Sequence, residues 1–252
     1  MEKDVKNLNQ SIIKAFTLLD AFTPDKKEWG VRELANKTGY NKSTTYRLLS
    51  TLVSLHIVYQ NKNDKYSLGS KLFELGNRVS LYESLASISN EPIKNIALNI
   101  EETVLLGVLK ESQVLYINKA DSLNGLKIST SIGSYQPTHA TATGKLLMAH
   151  ASMSELQSYL KNNRFQSFTK NTITESKALL NELQTIKKQG YSLDLEEFEL
   201  GLICIAIPVF NKKGEVIAGV SASGPSSRFK MENVEKYISI LQKGVSRIEQ
   251  SL

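Results

Sequence analysis

A single cysteine, Cys204, in 252 residues excludes an internal disulfide and fits a reducing compartment such as the cytoplasm. The three histidines, His56, His139 and His150, are too few and too scattered for a zinc set. No uncharged apolar run approaches the roughly 18 residues that a membrane span needs. The polar start MEKDVKNLNQ lacks the profile of a secretory signal. Prolines number 5 and apolar residues make up 41%, which argues against disorder. Phosphate-binding loops are missing too. HATATGKLL has His139 where the first glycine belongs and Leu146 where Ser or Thr must hold magnesium, and no GxGxxG follows a strand. His139, Asp194 and Ser221 could be gathered into a triad, but the GxSxG elbow is absent. We therefore expect no catalytic residue, no metal ligand and no cofactor.

What is present begins with charge. The net charge is +6. Residues 1–85 hold 13 Lys+Arg against 9 Asp+Glu, and the remainder 18 against 16, so a third of the chain has two thirds of the excess. That distribution hints that the N-terminal part meets a polyanion.

Residues 8–22, LNQSIIKAFTLLDAF, place Ile12, Ile13, Phe16, Leu19 and Phe22 at helical spacing, predicting one buried face. VRELANKT follows as a short helix and Gly39 ends it. Asn41 is set to cap a second helix, NKSTTYRLLSTLV, across the turn TGYN, which is helix-turn-helix spacing. The second helix is polar in its first half and apolar in its second, with Leu48, Leu49, Leu52 and Val53. A recognition helix needs that gradient, because its first turns enter the DNA major groove while its later turns pack on the other helices. Lys42, Ser43, Thr44, Thr45 and Arg47 supply donors and acceptors for bases and phosphates, with Arg32 on the preceding helix. IVYQNKNDKYSLG reads as a hairpin, a basic wing that brings Lys62 and Lys65 to the phosphate backbone. The reading is a winged helix-turn-helix over residues 1–69, followed by an amphipathic linker helix over 70–85 with Leu72, Phe73, Leu75, Val79 and Leu81 in its stripe. A second subunit would cover that stripe.

From residue 86 to 252 the pattern becomes mixed. TVLLGVLK and QVLYINKA predict paired strands around ESQ, and GLKISTSIGS predicts another. TATGKLLMAH predicts a helix, as does ITESKALLNELQTIKKQG with Thr174 as its cap and Gly190 as its close. Strands YSLD, LICIAIPVFN and EVIAGVSASG precede a final helix from about Lys230. The class is α+β with a pocket, not a Rossmann unit. Thr141, Thr143 and Gly144 open a helix whose free N–H groups favour an anion such as a carboxylate. Ser221 and Ser223 alternate along a strand, so both hydroxyls face one side.

Gly190, Asp194, Glu197, Cys204, Ile205, Ala206, Val209, Phe210 and Asn211, within GYSLDLEEFELGLICIAIPVFN, resemble the signature of the IclR-type transcriptional regulators. THATATGKLLMA (138–149), VSASGPSSRF (220–229), YRLLSTL and YSLGSKLFELG resemble further blocks of the family, in order, over nearly the whole chain. The resemblance implies a winged helix-turn-helix, a linker helix and a GAF-like effector-binding domain. It also implies a homodimer or homotetramer that binds a palindromic double-stranded operator, more as repressor than activator, under control of a small metabolite. By resemblance Ala142 and Thr143 offer donors to an organic-acid effector, Ser221 and Ser223 assist, Asp194 holds a hydroxyl or keto group, and Cys204 is a wall. Thr143 departs from the small alanine common in the family, which bears on pocket size. The alternative, a small-molecule-processing enzyme with an accessory DNA-binding domain, has no motif behind it. A purely architectural DNA binder would leave the larger part of the chain without a task.

Overall fold

The computed structural model describes residues 8–23, 25–76, 78–79, 82–124, 128–162 and 165–252. They form two compact units, 1–81 and 82–252.

The smaller unit runs α1 (Gln10–Leu19), β1 (Trp29–Gly30), α2 (Val31–Thr38), α3 (Lys42–Ser54), β2 (Val58–Gln60), β3 (Lys65–Leu68) and α4 (Ser70–Gly76). Gly39, at φ +73°, turns α2 into the loop before α3 in the left-handed region that glycine favours. Asn41 then caps α3, its Oδ1 accepting from the N–H of Thr44 at 2.8 Å. The expected hairpin forms from β2 and β3, and the short β1 adds a third strand in the order β1-β3-β2. Leu18, Leu34, Leu49, Leu52, Val58 and Tyr66 close the core.

Two expectations for this unit fail. Of the expected α1 face, Ile12, Ile13 and Phe16 are 58%, 40% and 61% exposed, whereas Leu19 and Phe22 pack on the core beside Ala15 and Leu18. The chain has two apolar stripes on α1, and this unit covers one. A continuous linker helix is not formed either: α4 stops at Gly76 and the next helix starts at Glu83. Phe73 and Leu75 are exposed, and Leu81 lies outside the described residues.

The larger unit runs α5 (Glu83–Ile100), β4 (Thr103–Lys110), β5 (Gln113–Ala120), β6 (Tyr135–Pro137), α6 (Ala142–His150), α7 (Met153–Asn162), α8 (Ser176–Gln189), β7 (Ser192–Leu195), β8 (Leu202–Phe210), β9 (Val216–Pro225) and α9 (Val234–Gln250). The strands make one antiparallel sheet in the order β6-β5-β4-β9-β8-β7. Helices α5 and α9 cover one face through Ile93, Ile96, Leu241 and Ile248. Helices α6, α7 and α8 cover the other through Leu146, Tyr159, Leu179 and Ile186. Strands β4 and β5 occupy the predicted segments, joined by Glu111 and Ser112 at φ 51° and 63°. A bulge between Leu106 and Gly107 leaves Ile117 unpaired on β5. Bulges re-aim side chains. Here the Asn118 Nδ2 donates to Ala86 O, Ser89 Oγ and Asn90 Oδ1 of α5 at 2.7–2.8 Å.

The strand expected over 125–134 is not formed at 128–134, while Gly125, Leu126 and Lys127 lie outside the described residues. That segment runs as a loop to a turn at Gly133 (φ +86°), where Gly133 N and Ser134 O bond to Tyr116, and the strand ladder begins at Tyr135. Thr174 does not cap α8; Glu175 occupies the cap position without a side-chain bond. Helix α7 had no counterpart in the sequence reading.

Candidate DNA-binding face and effector cavity

On α3, Lys42, Ser43 and Arg47 stand in solvent and Thr44 is half-buried. Ser43 Oγ donates to Asn41 Oδ1 at 2.9 Å, so the cap also orients Ser43 on the polar edge. Thr45 is not part of that edge. It is fully buried with its hydroxyl on Asn41 O, because it stands one turn before Leu49 and shares the core stripe with Leu49 and Leu52. Tyr46, 57% exposed and three residues beyond Ser43, shares the open face.

Arg32 is exposed on α2. The two wing lysines differ. Lys65 Nζ reaches Glu33 Oε2 at 2.6 Å, and Lys26 Nζ reaches Glu33 Oε1 at 3.1 Å. Glu33 also accepts from Gly30 N at 2.6 Å, and these partners, Lys65 foremost, hold its carboxyl down at about 2. Lys65 is thus tied to the base of the wing. Lys62 at the hairpin tip has no carboxylate partner among the described residues, nor do Lys42 and Arg47.

In the larger unit a narrow cavity of about 20 Å³ opens beside the sheet, and Ala142, Thr143, Asp194, Cys204, Ser221 and Ser223 all line it. Sheet register explains the grouping. Asp194, Cys204, Ser223 and Thr103 form one row across β7, β8, β9 and β4, and Ser192, Ala206, Ser221 and Leu105 form the next. Above these rows sits the start of α6. Thr141 caps it, accepting from Gly144 N at 3.1 Å and donating to Pro137 O at 2.8 Å. A Cβ on Gly144 would lie 2.4 Å from Thr138 Cα, so only glycine fits under this turn. Gly107 and Gly219 face each other across β4 and β9, and a Cβ on either would press on the Thr143 methyl at 3.0 and 3.1 Å. The paired glycines let the helix start settle on the sheet.

The cavity wall is polar but restrained. Ser221 is 1% exposed and its hydroxyl has no hydrogen-bond partner among the described residues. Native proteins rarely leave such a group unmet. Burial pushes the Asp194 carboxyl up to about 7, against the N–H of Glu197, which donates to its Oδ1 at 2.7 Å. Burial likewise raises the Cys204 thiol and the Tyr116 phenol, so both stay neutral. Tyr116, Gln136 and Phe198 line the cavity without having been singled out from the sequence. His139 lies elsewhere, with Nε2 2.9 Å from Gln166 O and its ring against Phe165 and Phe168.

Residues 11–62 match the IclR helix-turn-helix domain, and residues 79–250 match the bacterial transcriptional regulator IclR C-terminal domain. The chain belongs to the IclR family. Its relatives include the HTH-type transcriptional regulator KdgR of Escherichia coli, 37% identical over 94% of this chain and 90% of that one. The crystal structure of Thermotoga maritima IclR superposes with a TM-score of 0.77 at 30% identity, covering 96% and 98% of the two chains. An IclR homolog from Microbacterium hydrocarbonoxydans, solved in complex with 4-hydroxybenzoate, has the same fold, with a TM-score of 0.84 at 23% identity over 96% and 99%. As an IclR-family member the protein is a DNA-binding transcriptional regulator with an effector-binding C-terminal domain, and not an enzyme. No helix among the described residues is long and apolar enough to cross a membrane.

Proposed function

We propose that residues 1–69 grip a palindromic operator and that residues 86–252 hold a small organic acid that alters the grip, with residues 70–85 joining the two. Lys42, Ser43, Thr44 and Arg47 meet base edges and phosphates, Lys62 meets the backbone from the wing, and Arg32 supports from α2. The acid's carboxylate lies at the start of α6 against Ala142 and Thr143, where the helix dipole and open backbone N–H groups favour negative charge. Ser221 and Ser223 complete its hydrogen bonds, Cys204 is a neutral wall, and Asp194 faces the ligand's second polar group. The observation behind this reading is the Ser221 hydroxyl, sealed from water and unmet, at the foot of a helix start. The 4-hydroxybenzoate of the Microbacterium homolog is itself an organic acid, which supports the ligand class. Exposed apolar stripes on α1 and α4 support a homodimer or homotetramer. Bacterial DNA-binding relatives support a cytoplasmic location.

A thermal-shift screen of small organic acids tests the cavity. At least one acid raises the melting temperature of the native protein and not that of a Ser221→Ala, Ser223→Ala double variant. Equal stabilisation of both proteins refutes the site.

A further inference from the structure

The cavity constrains charge as well as hydrogen bonding. Among its described lining residues there is no lysine, arginine or histidine, and Asp194 is the one carboxyl. The groups facing Asp194 offer no spare positive charge. Cys204 opposes it from β8, with Ser223 beyond on β9 and Tyr116 on β5, and the thiol and phenol are neutral. On its own loop stands Glu197, also buried. From α6 comes Lys145, 1% exposed, whose Nζ is bound by Glu197 and, at 3.1 Å, by Glu182. One buried cation therefore already answers two carboxylates. Ionising Asp194 would leave the group strongly negative, and an acid's carboxylate at the start of α6 would add to the excess. Unbalanced charge away from water is costly, and a proton on Asp194 is the least costly relief. Protonated, Asp194 still accepts from Glu197 N through Oδ1 and gains an O–H to offer the cavity.

Resting on the effector reading above, we propose that the cavity takes a singly charged acid together with one proton carried on Asp194. The ligand class follows: a monocarboxylic acid with a hydroxyl or carbonyl near Asp194, to the exclusion of dicarboxylates. Because burial already places Asp194 at about 7, the proton is available at neutral pH. A bound anion raises that affinity for protons further, so binding takes up a proton above neutrality and weakens as pH rises.

Calorimetric titration of the full-length protein with lactate, a monoacid bearing one hydroxyl, and malonate, which has a second carboxylate instead, tests this. We expect lactate affinity to fall about tenfold per pH unit above about pH 7, with a binding heat that depends on the buffer's ionisation enthalpy. Malonate binds at least about tenfold more weakly at neutral pH. Asp194→Asn abolishes the pH slope, whereas Glu197→Gln keeps it. A flat lactate response in the native protein, a slope that survives in Asp194→Asn, or malonate binding as tight as lactate overturns the proposal and leaves the cavity an organic-acid site. No binding of lactate or malonate at any pH, in tens of millimolar, together with no stabilising acid in the screen above, removes the organic-acid reading and the proposal with it.

Discussion

The two units place their candidate functional polar groups in opposite surroundings. On the head, Lys42, Ser43 and Arg47 project into solvent from a helix anchored by Leu49 and Leu52. In the body, Ser221, Ser223 and Asp194 are each at most 3% exposed and belong to the sheet itself. A surface that meets DNA can be altered without touching what folds it. A cavity built into the core cannot, so there a change in recognition is also a change in stability.

The largest break in that comparison comes from Lys145→Ala. It strands Glu197 in the core, and we expect a loss of about 3–5 kcal/mol in unfolding free energy, read by chemical denaturation. Arg47→Ala is the counterpart on the head. It weakens specific operator binding by about 1–3 kcal/mol in a gel-shift titration and leaves the melting temperature unchanged. Acid sharpens the contrast. Glu33 is held at about 2 against a usual 4.5, so its contribution to the head is whole above the usual value and is lost as pH falls towards 2. Asp194 is shifted the other way, from 3.8 to about 7, so its ionisation burdens the body above neutrality and acidification towards 4 relieves it. Circular dichroism melts across this range should show the head of the native protein weakening at low pH, a response reduced in Glu33→Gln, and the body strengthening, a response reduced in Asp194→Asn but not abolished, since burial also raises Glu197. The smallest effect separates the wing lysines. Lys62→Ala reduces the salt slope of DNA binding by about one unit, and Lys65→Ala, already engaged by Glu33, by less.

Much of this was legible because local rules and tertiary packing agree. Gly39 and Asn41 mark the turn between α2 and α3 by backbone conformation and capping, which need no distant partner. Ser221 and Ser223 face one way by the two-residue period of a strand, and the family blocks brought Asp194, Cys204 and Thr143 to the same place. Thr45 was misread because its chemistry suits DNA while its position, one turn before Leu49, assigns it to the core. On α1 the spacing shows two apolar stripes and cannot say which one this chain buries. The Lys145–Glu197 pair spans 52 residues and depends on α6 lying over the loop after β7, which no local pattern encodes. The loop at 128–134 alternates Ile128, Thr130 and Ile132 like a strand, yet its backbone meets β5 only from Gly133 onward.

The irregularity in β5 has a mechanical meaning. Tyr116 forms part of the cavity wall, and two residues on, past the bulge, Asn118 is fastened to the opening turns of α5 by its amide. Cavity wall and first helix of the larger unit therefore share one short stretch of strand, two peptide units long.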